Sequence, residues 1–214
     1  MNLKKLFQDS LLDIMDQQEI ECLTLEYLII EKLWSSFFNT IDTINLVILA
    51  EAPLNSNQYI FNENSRNTIF LYKSSLEKCF KEFKANPNIK NLNKIELMRE
   101  LGIIVIEAYP FALDPKKHKN NFSNLDPLIK NKLFNKSYPW HLKNKLELIK
   151  TKINKNTIFS YRYERNRDFL SMINEDIDFI YIGDAGNGKK SYGAINESKL
   201  ISMYKKIRIL NKNL

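Results

Sequence analysis

Four short apolar runs constrain what this chain can fold into: NLVILA at 45–50, IIVIEA at 103–108, TIFSYRY at 157–163 and FIYI at 179–182. Each has strand length and is rich in β-branched or aromatic residues. The first two are apolar almost throughout instead of alternating, as a parallel strand covered by helices on both faces requires. Helical sequence surrounds them. Before the first run, Leu3, Leu6, Phe7, Leu11, Leu12 and Ile14 make one apolar stripe, and Cys22, Leu25, Leu28, Ile29 and Leu33 make another. Residues 67–83, 94–101, the stretch from Pro139 to Ile153, and 197–210 read as further helices. Gly102 stands where a helix C-terminus favours glycine. The expected fold class is α/β: a three-layer α/β/α sandwich with a central four-stranded, mostly parallel sheet.

The 214 residues suit one domain, with N-terminal helices to about residue 40 and an α/β core after them. The formal net charge is +7, which favours polyanions electrostatically, although a lysine-rich composition can also reflect base composition of the genome. Two cysteines, Cys22 and Cys79, are too few for a zinc or iron–sulfur site built from cysteine alone, so neither metal nor cofactor is expected. No window approaches the roughly 18 apolar residues of a membrane span. The opening MNLKKLFQDS has two lysines but no apolar run of signal-peptide length. A cytoplasmic monomer that meets no membrane is expected.

In open α/β sheets, ligands bind beyond the carboxyl ends of the strands. The residues leaving the first run are Glu51, Ala52 and Pro53, followed by a polar loop with two aromatics, Tyr59 and Phe61. Glu107 closes the second run, Arg162 lies at the end of the third, and Arg165 and Arg167 follow it. The fourth run opens into GDAGNGKKS at 183–191, which holds three of the five glycines together with Lys189 and Lys190. That loop nearly matches the phosphate-binding pattern GxxxxGK[ST], but Lys190 occupies the place of the hydroxyl that holds Mg²⁺. Backbone amides and lysines after a strand still form a plausible phosphate cradle.

Taken in order, the strand ends LVILAEAPL, GIIVIEAYPF, IFSYRY and FIYIGDAGNG resemble the uracil-DNA glycosylase superfamily. One branch of that superfamily writes its first motif GEAPG; here it reads Ala50-Glu51-Ala52-Pro53-Leu54. The resemblance spans about residues 44–192 and implies roles for particular positions. Ala52 and Pro53 would wall the base pocket, and Phe61, or Tyr59 in its stead, would stack on an extruded base. Glu107 occupies the place of an asparagine that reads the base edge. The loop containing Asp184, Lys189, Lys190 and Tyr192 would contact phosphate and push a side chain into the base stack. Arg165 and Arg167 would add a second grip on DNA.

Three departures shape the expected chemistry. The GEAPG branch carries four cluster cysteines that this chain lacks. Ala52 replaces an aspartate that assists water attack in the best-known branch, and the histidine of the last motif has no counterpart, because Gly183 and Asp184 stand there. His118 and His141 read as surface residues. Cleavage of a glycosidic bond through a sugar cation needs a nearby carboxylate, which leaves Glu51 and Asp184 as the catalytic candidates. Glu107 points to a different base. Ionised glutamate only accepts hydrogen bonds, and cytosine offers an N4 amino donor; a protonated Glu107 would also donate to cytosine N3.

The expected function is thus a DNA glycosylase that flips out and excises a damaged or modified base, with a modified cytosine in an antiviral role favoured over plain uracil. Two alternatives stand beside it. One is a nucleic-acid binder that kept the fold and lost the activity; the other is a P-loop-like nucleotide hydrolase centred on Lys189.

Overall fold

The structure of the protein is a computed structural model, and it describes residues 3–11, 16–53, 55–65, 70–85, 88–111, 127–162, 170–173, 177–184 and 194–212. Helices α1 (Leu3–Leu11) and α2 (Gln17–Thr40) lead into strand β1 (Ile44–Ala50). Helices α3 (Lys73–Phe83) and α4 (Lys94–Leu101) connect it to β2 (Ile103–Glu107). Helices α5 (Pro127–Ser137) and α6 (Leu142–Lys150) precede β3 (Ile153–Tyr161), and β4 (Phe179–Tyr181) precedes the last helix, α7 (Glu197–Lys212).

The four strands form one sheet in the order β2-β1-β3-β4, and every pairing is parallel. From β1 the chain moves one way to β2, then returns past β1 to β3. Right-handed crossovers require the helices of those two connections to lie on opposite faces. The packing agrees. Helices α3, α4 and α7 share one layer, where the Tyr204 hydroxyl donates to Leu101 O at 3.1 Å and Arg208 to Glu82 O at 2.9 Å. Helices α1, α2, α5 and α6 form the other, where the Phe7 ring meets Tyr27 and Phe111 edge-on and Tyr27 meets Trp140. Between these layers all seven residues of β1 and all five of β2 are buried, as their apolar sequence requires. This is the three-layer α/β/α sandwich.

Gly102 ends α4 with φ of 67°, and a Cβ there would come within 2.4 Å of Thr43 O, so glycine is required on both counts. An asparagine–glutamate capping box at Asn93 and Glu96 starts the same short helix.

Four expectations about the faces and bounds of the elements need correction. In α2 the buried face is Ile20, Leu23, Tyr27, Ile30, Trp34, Phe37 and Phe38. Leu25, Leu28 and Ile29 are 63%, 51% and 48% exposed, and Cys22 is exposed too. The helix is apolar on most sides, and the side carrying the large rings goes inward because they bury the most area. Helix α3 starts at Lys73, not before Phe70, because Phe70 and Leu71 fill the core from an irregular segment. Pro139 lies in a turn ahead of α6 instead of in its first turn. Strand β3 begins at Ile153, four residues before its apolar run, as Ile44 pairs with Ile153.

As an edge strand, β2 would present bare carbonyls. Its outward-facing Val105 O accepts from Trp34 Nε1 at 2.9 Å, and two residues on, Glu107 O lies 3.1 Å from His141 Nε2. The expected surface position of His141 is therefore wrong: it is 2% exposed and seals a sheet edge. His118 lies outside the described residues.

Candidate functional site at the carboxyl ends of the strands

Since β1 connects toward β2 and β3 toward β4 on the other side, the topological switch point falls between β1 and β3. Glu51 leaves β1 there and Arg162 leaves β3, with the Arg162 amide bonded to Leu49 O at 3.2 Å. The Arg162 guanidinium is buried and stacks 3.7 Å from the centre of the Phe70 ring.

Register brings the ends of β1 and β2 to one level. Ala50 pairs with Glu107 across β1 and β2, and the Tyr109 amide donates to Glu51 O at 2.9 Å. Glu51 is 7% exposed, and its Oε1 stands 4.0 Å from Lys130 Nζ of α5. Nearby, burial and then the Glu51 charge push the Tyr109 hydroxyl above its ordinary value. Ala52 is half-buried and Pro53 buried. Asp184 is exposed, with its amide bonded to Ala194 O at 2.8 Å in the segment that follows β4. That segment is packed closely. A Cβ on Gly183 would approach Arg162 O to 2.1 Å.

The two aromatics of the loop turn inward. Phe61 stacks on Phe37 with ring centres 4.2 Å apart and an interplanar angle of 19°, and the edge of Tyr59 meets it at 5.5 Å. Both rings are nearly inaccessible, so one face of Phe61 is already occupied by α2. Arg165, Arg167, Lys189, Lys190 and Tyr192 lie outside the described residues.

A buried ionic cluster surrounds Glu107. Lys145 Nζ lies 2.7 Å from Glu31 Oε1 and 3.5 Å from Glu107 Oε2, and it sits 4.8 Å from the Trp34 ring centre. Tyr59 brings its hydroxyl beside the Glu107 carboxyl without the geometry of a normal hydrogen bond. Burial pushes Glu107 above the ordinary carboxylate range; Lys145 pulls it back, and the Glu31 charge adds to the rise. Burial and then the Lys145 charge hold His141 well below 6.5, so its imidazole is neutral near pH 7. Because Glu107 O can only accept, His141 Nε2 carries the proton and Nδ1 is left as an acceptor 3.8 Å from Glu31 Oε1. Burial, with the charges of Glu31 and Glu107, also raises Tyr27.

Sequence reading missed Glu31, His141 and Lys145, although a signal was present for the lysine. Leu142, Lys145, Leu146 and Ile149 are the buried residues of α6, so Lys145 occupies a position in an apolar stripe. A lysine there needs a buried counter-charge.

A polar cavity of about 400 Å³ opens at the opposite, amino end of the sheet, lined by Asp42, Asn45, Arg99 and Glu100 among others. It lies at the end of the sheet opposite Glu51 and Glu107. Among the described residues no group of three or more His, Cys, Asp or Glu could hold a metal ion, and no helix is long and apolar enough to cross a membrane. Comparison of the chain with protein-family models, curated proteins and solved structures gave no match.

Proposed function

We propose that the protein is a monofunctional DNA glycosylase acting on a modified base, with a cytosine-type base preferred over uracil. The observation that carries this reading is the register of β1 and β2, which pairs Ala50 with Glu107 and so brings the ends of both strands, with Glu51 one residue further on, to the carboxyl edge of a parallel sheet next to its switch point. In this reading Glu51 stabilises the sugar cation that forms as the glycosidic bond breaks, and orients the attacking water. Its buried setting strengthens that electrostatic effect. Glu107 reads the edge of the extruded base, and the surplus of positive charge grips the DNA backbone.

The test is abasic-site formation in duplexes and single strands carrying cytosine, hydroxymethylcytosine, glucosylated hydroxymethylcytosine or uracil. Release should favour a cytosine-type base, and Glu107→Asn should move the preference toward uracil. An unchanged preference in that variant would remove Glu107 from base recognition.

One set of contacts favours the second reading, a binding protein without activity. Glu107 is engaged by Lys145, and Phe61 is engaged by Phe37, so both groups assigned to the base already have partners. Tight binding of DNA with no base released from any of these substrates would establish that reading.

A further inference from the structure

The proton count of the buried cluster does not balance. Glu31 and Glu107 bring two carboxyl groups, Lys145 brings one ammonium, and the His141 imidazole is neutral and already donates to Glu107 O. Lys145 is also shared unequally, 2.7 Å from Glu31 and 3.5 Å from Glu107. The less well compensated carboxyl is the more buried one, since the side chain of Glu107 is 3% exposed and that of Glu31 25%. Like charges that share one counter-ion in a dry site push a proton onto one of them.

We propose that Lys145 is a positioning residue that fixes the orientation in which Glu107, held protonated by burial and the charge of Glu31, offers its hydrogen-bond donor. An ammonium donates to a carboxyl oxygen that carries no proton, and Lys145 approaches Oε2, so a proton taken up by Glu107 sits on Oε1. A free carboxyl can turn over and offer donor and acceptor in either order; this one cannot. The ligand it suits has an unprotonated ring nitrogen facing Oε1, as cytosine-type bases have at N3 and uracil lacks. Glu31 acts as the counterweight: by drawing the ammonium away from Glu107 it favours the protonated form of that carboxyl. The groups facing Glu107 are Tyr27 and Glu31 from α2, Tyr59 from the loop after β1, His141 from the turn just before α6, and Lys145 from α6. The two tyrosines stay neutral through the accessible pH range, since burial raises both.

This inference rests on the reading of Glu107 as a base-edge residue, but its test does not require activity. The carboxyl carbons of glutamate are labelled with ¹³C in the full-length protein, the Glu107 signal is assigned with Glu107→Gln, and its titration is followed by NMR. In the wild type the signal should titrate above the ordinary 4.5. Glu31→Gln should lower that midpoint by about one unit, and Lys145→Met should raise it by a similar amount. Movement of the two variants in the same direction, or of neither, would overturn the proposal. If Lys145→Met does not fold, Glu31→Gln decides alone, because it keeps the size of the side chain.

Base release then separates this inference from the function. If the wild type releases base, the pH profile of release should move with the same signs in the two variants. Opposite NMR shifts without release of any base would retain the role of Lys145 and remove the glycosylase reading. Base release without NMR shifts would do the reverse.

Discussion

The ammonium of Lys145 stands 3.5 Å from the Glu107 carboxyl group, and the two side chains keep only 2% and 3% of their surface exposed. Lys145 also lies 2.7 Å from Glu31, so removing the ammonium strips both carboxyl groups of their shared counter-ion. Breaking a buried ionic contact typically costs about 3–5 kcal/mol, whereas replacing the buried partners by apolar groups is often neutral. Lys145→Met is therefore expected to lower the unfolding free energy in urea by about that amount. The double variant Lys145→Met, Glu107→Leu should be more stable than the single one, because the remaining Glu31 can turn toward solvent. Additive losses in the cycle would mean that the two groups do not interact.

His141 gives a prediction about acid stability. Its folded-state value lies well below its ordinary 6.5, so between those values the unfolded chain binds more protons. Stability contributed by the neutral imidazole is complete above 6.5 and is lost as pH falls through that window. Glu107 has the opposite sign: its value is raised on folding, so the folded state holds its proton more tightly and gains stability as pH falls toward 4.5. His141→Gln retains a donor for Glu107 O and removes the titrating group. Melting temperatures from pH 7 to pH 5 should fall more steeply for the wild type than for this variant. Parallel curves would show that His141 does not titrate on unfolding.

The cysteines provide a check on the layer packing. Cys79 is buried in α3, where burial and then the charges of Glu197 and Glu82 push its thiol up to about 12. Cys22 lies on the exposed side of α2. Iodoacetamide at neutral pH should label Cys22 in the native protein and reach Cys79 only after unfolding. Equal labelling of both thiols in the native state would contradict the packing of α3 against α7.

Much of the fold was legible where one physical demand dominated. The runs at 45–50 and 103–108 are apolar at nearly every position, and only a strand covered on both faces uses such a sequence. Gly102 was legible because the end of α4 requires a left-handed residue. The buried face of α2 was not, because Leu25, Leu28 and Ile29 have the same helical spacing as the residues that do enter the core. Only the tertiary surroundings decide between two apolar stripes on one helix.

At the site, the sequence could place Glu51 and Glu107 at strand ends but not their neighbours. Lys145 approaches Glu107 across 38 positions of chain, and Glu31 comes from a helix that precedes β1. Neither meeting follows from local spacing. Phe61 was legible as an aromatic of the loop after β1, yet its stacking on Phe37 depends on how that loop folds back over α2.

The most direct measurement is the appearance of free base, followed by chromatography and mass spectrometry, from DNA carrying a cytosine-type modification. The wild-type protein should release the base and leave an abasic site. Glu51→Ala should do so at least about 10²-fold more slowly, as expected for loss of a group acting at the reacting sugar. DNA left intact whatever base it carries, or a Glu51→Ala protein that cuts at the full rate, would contradict the assignment.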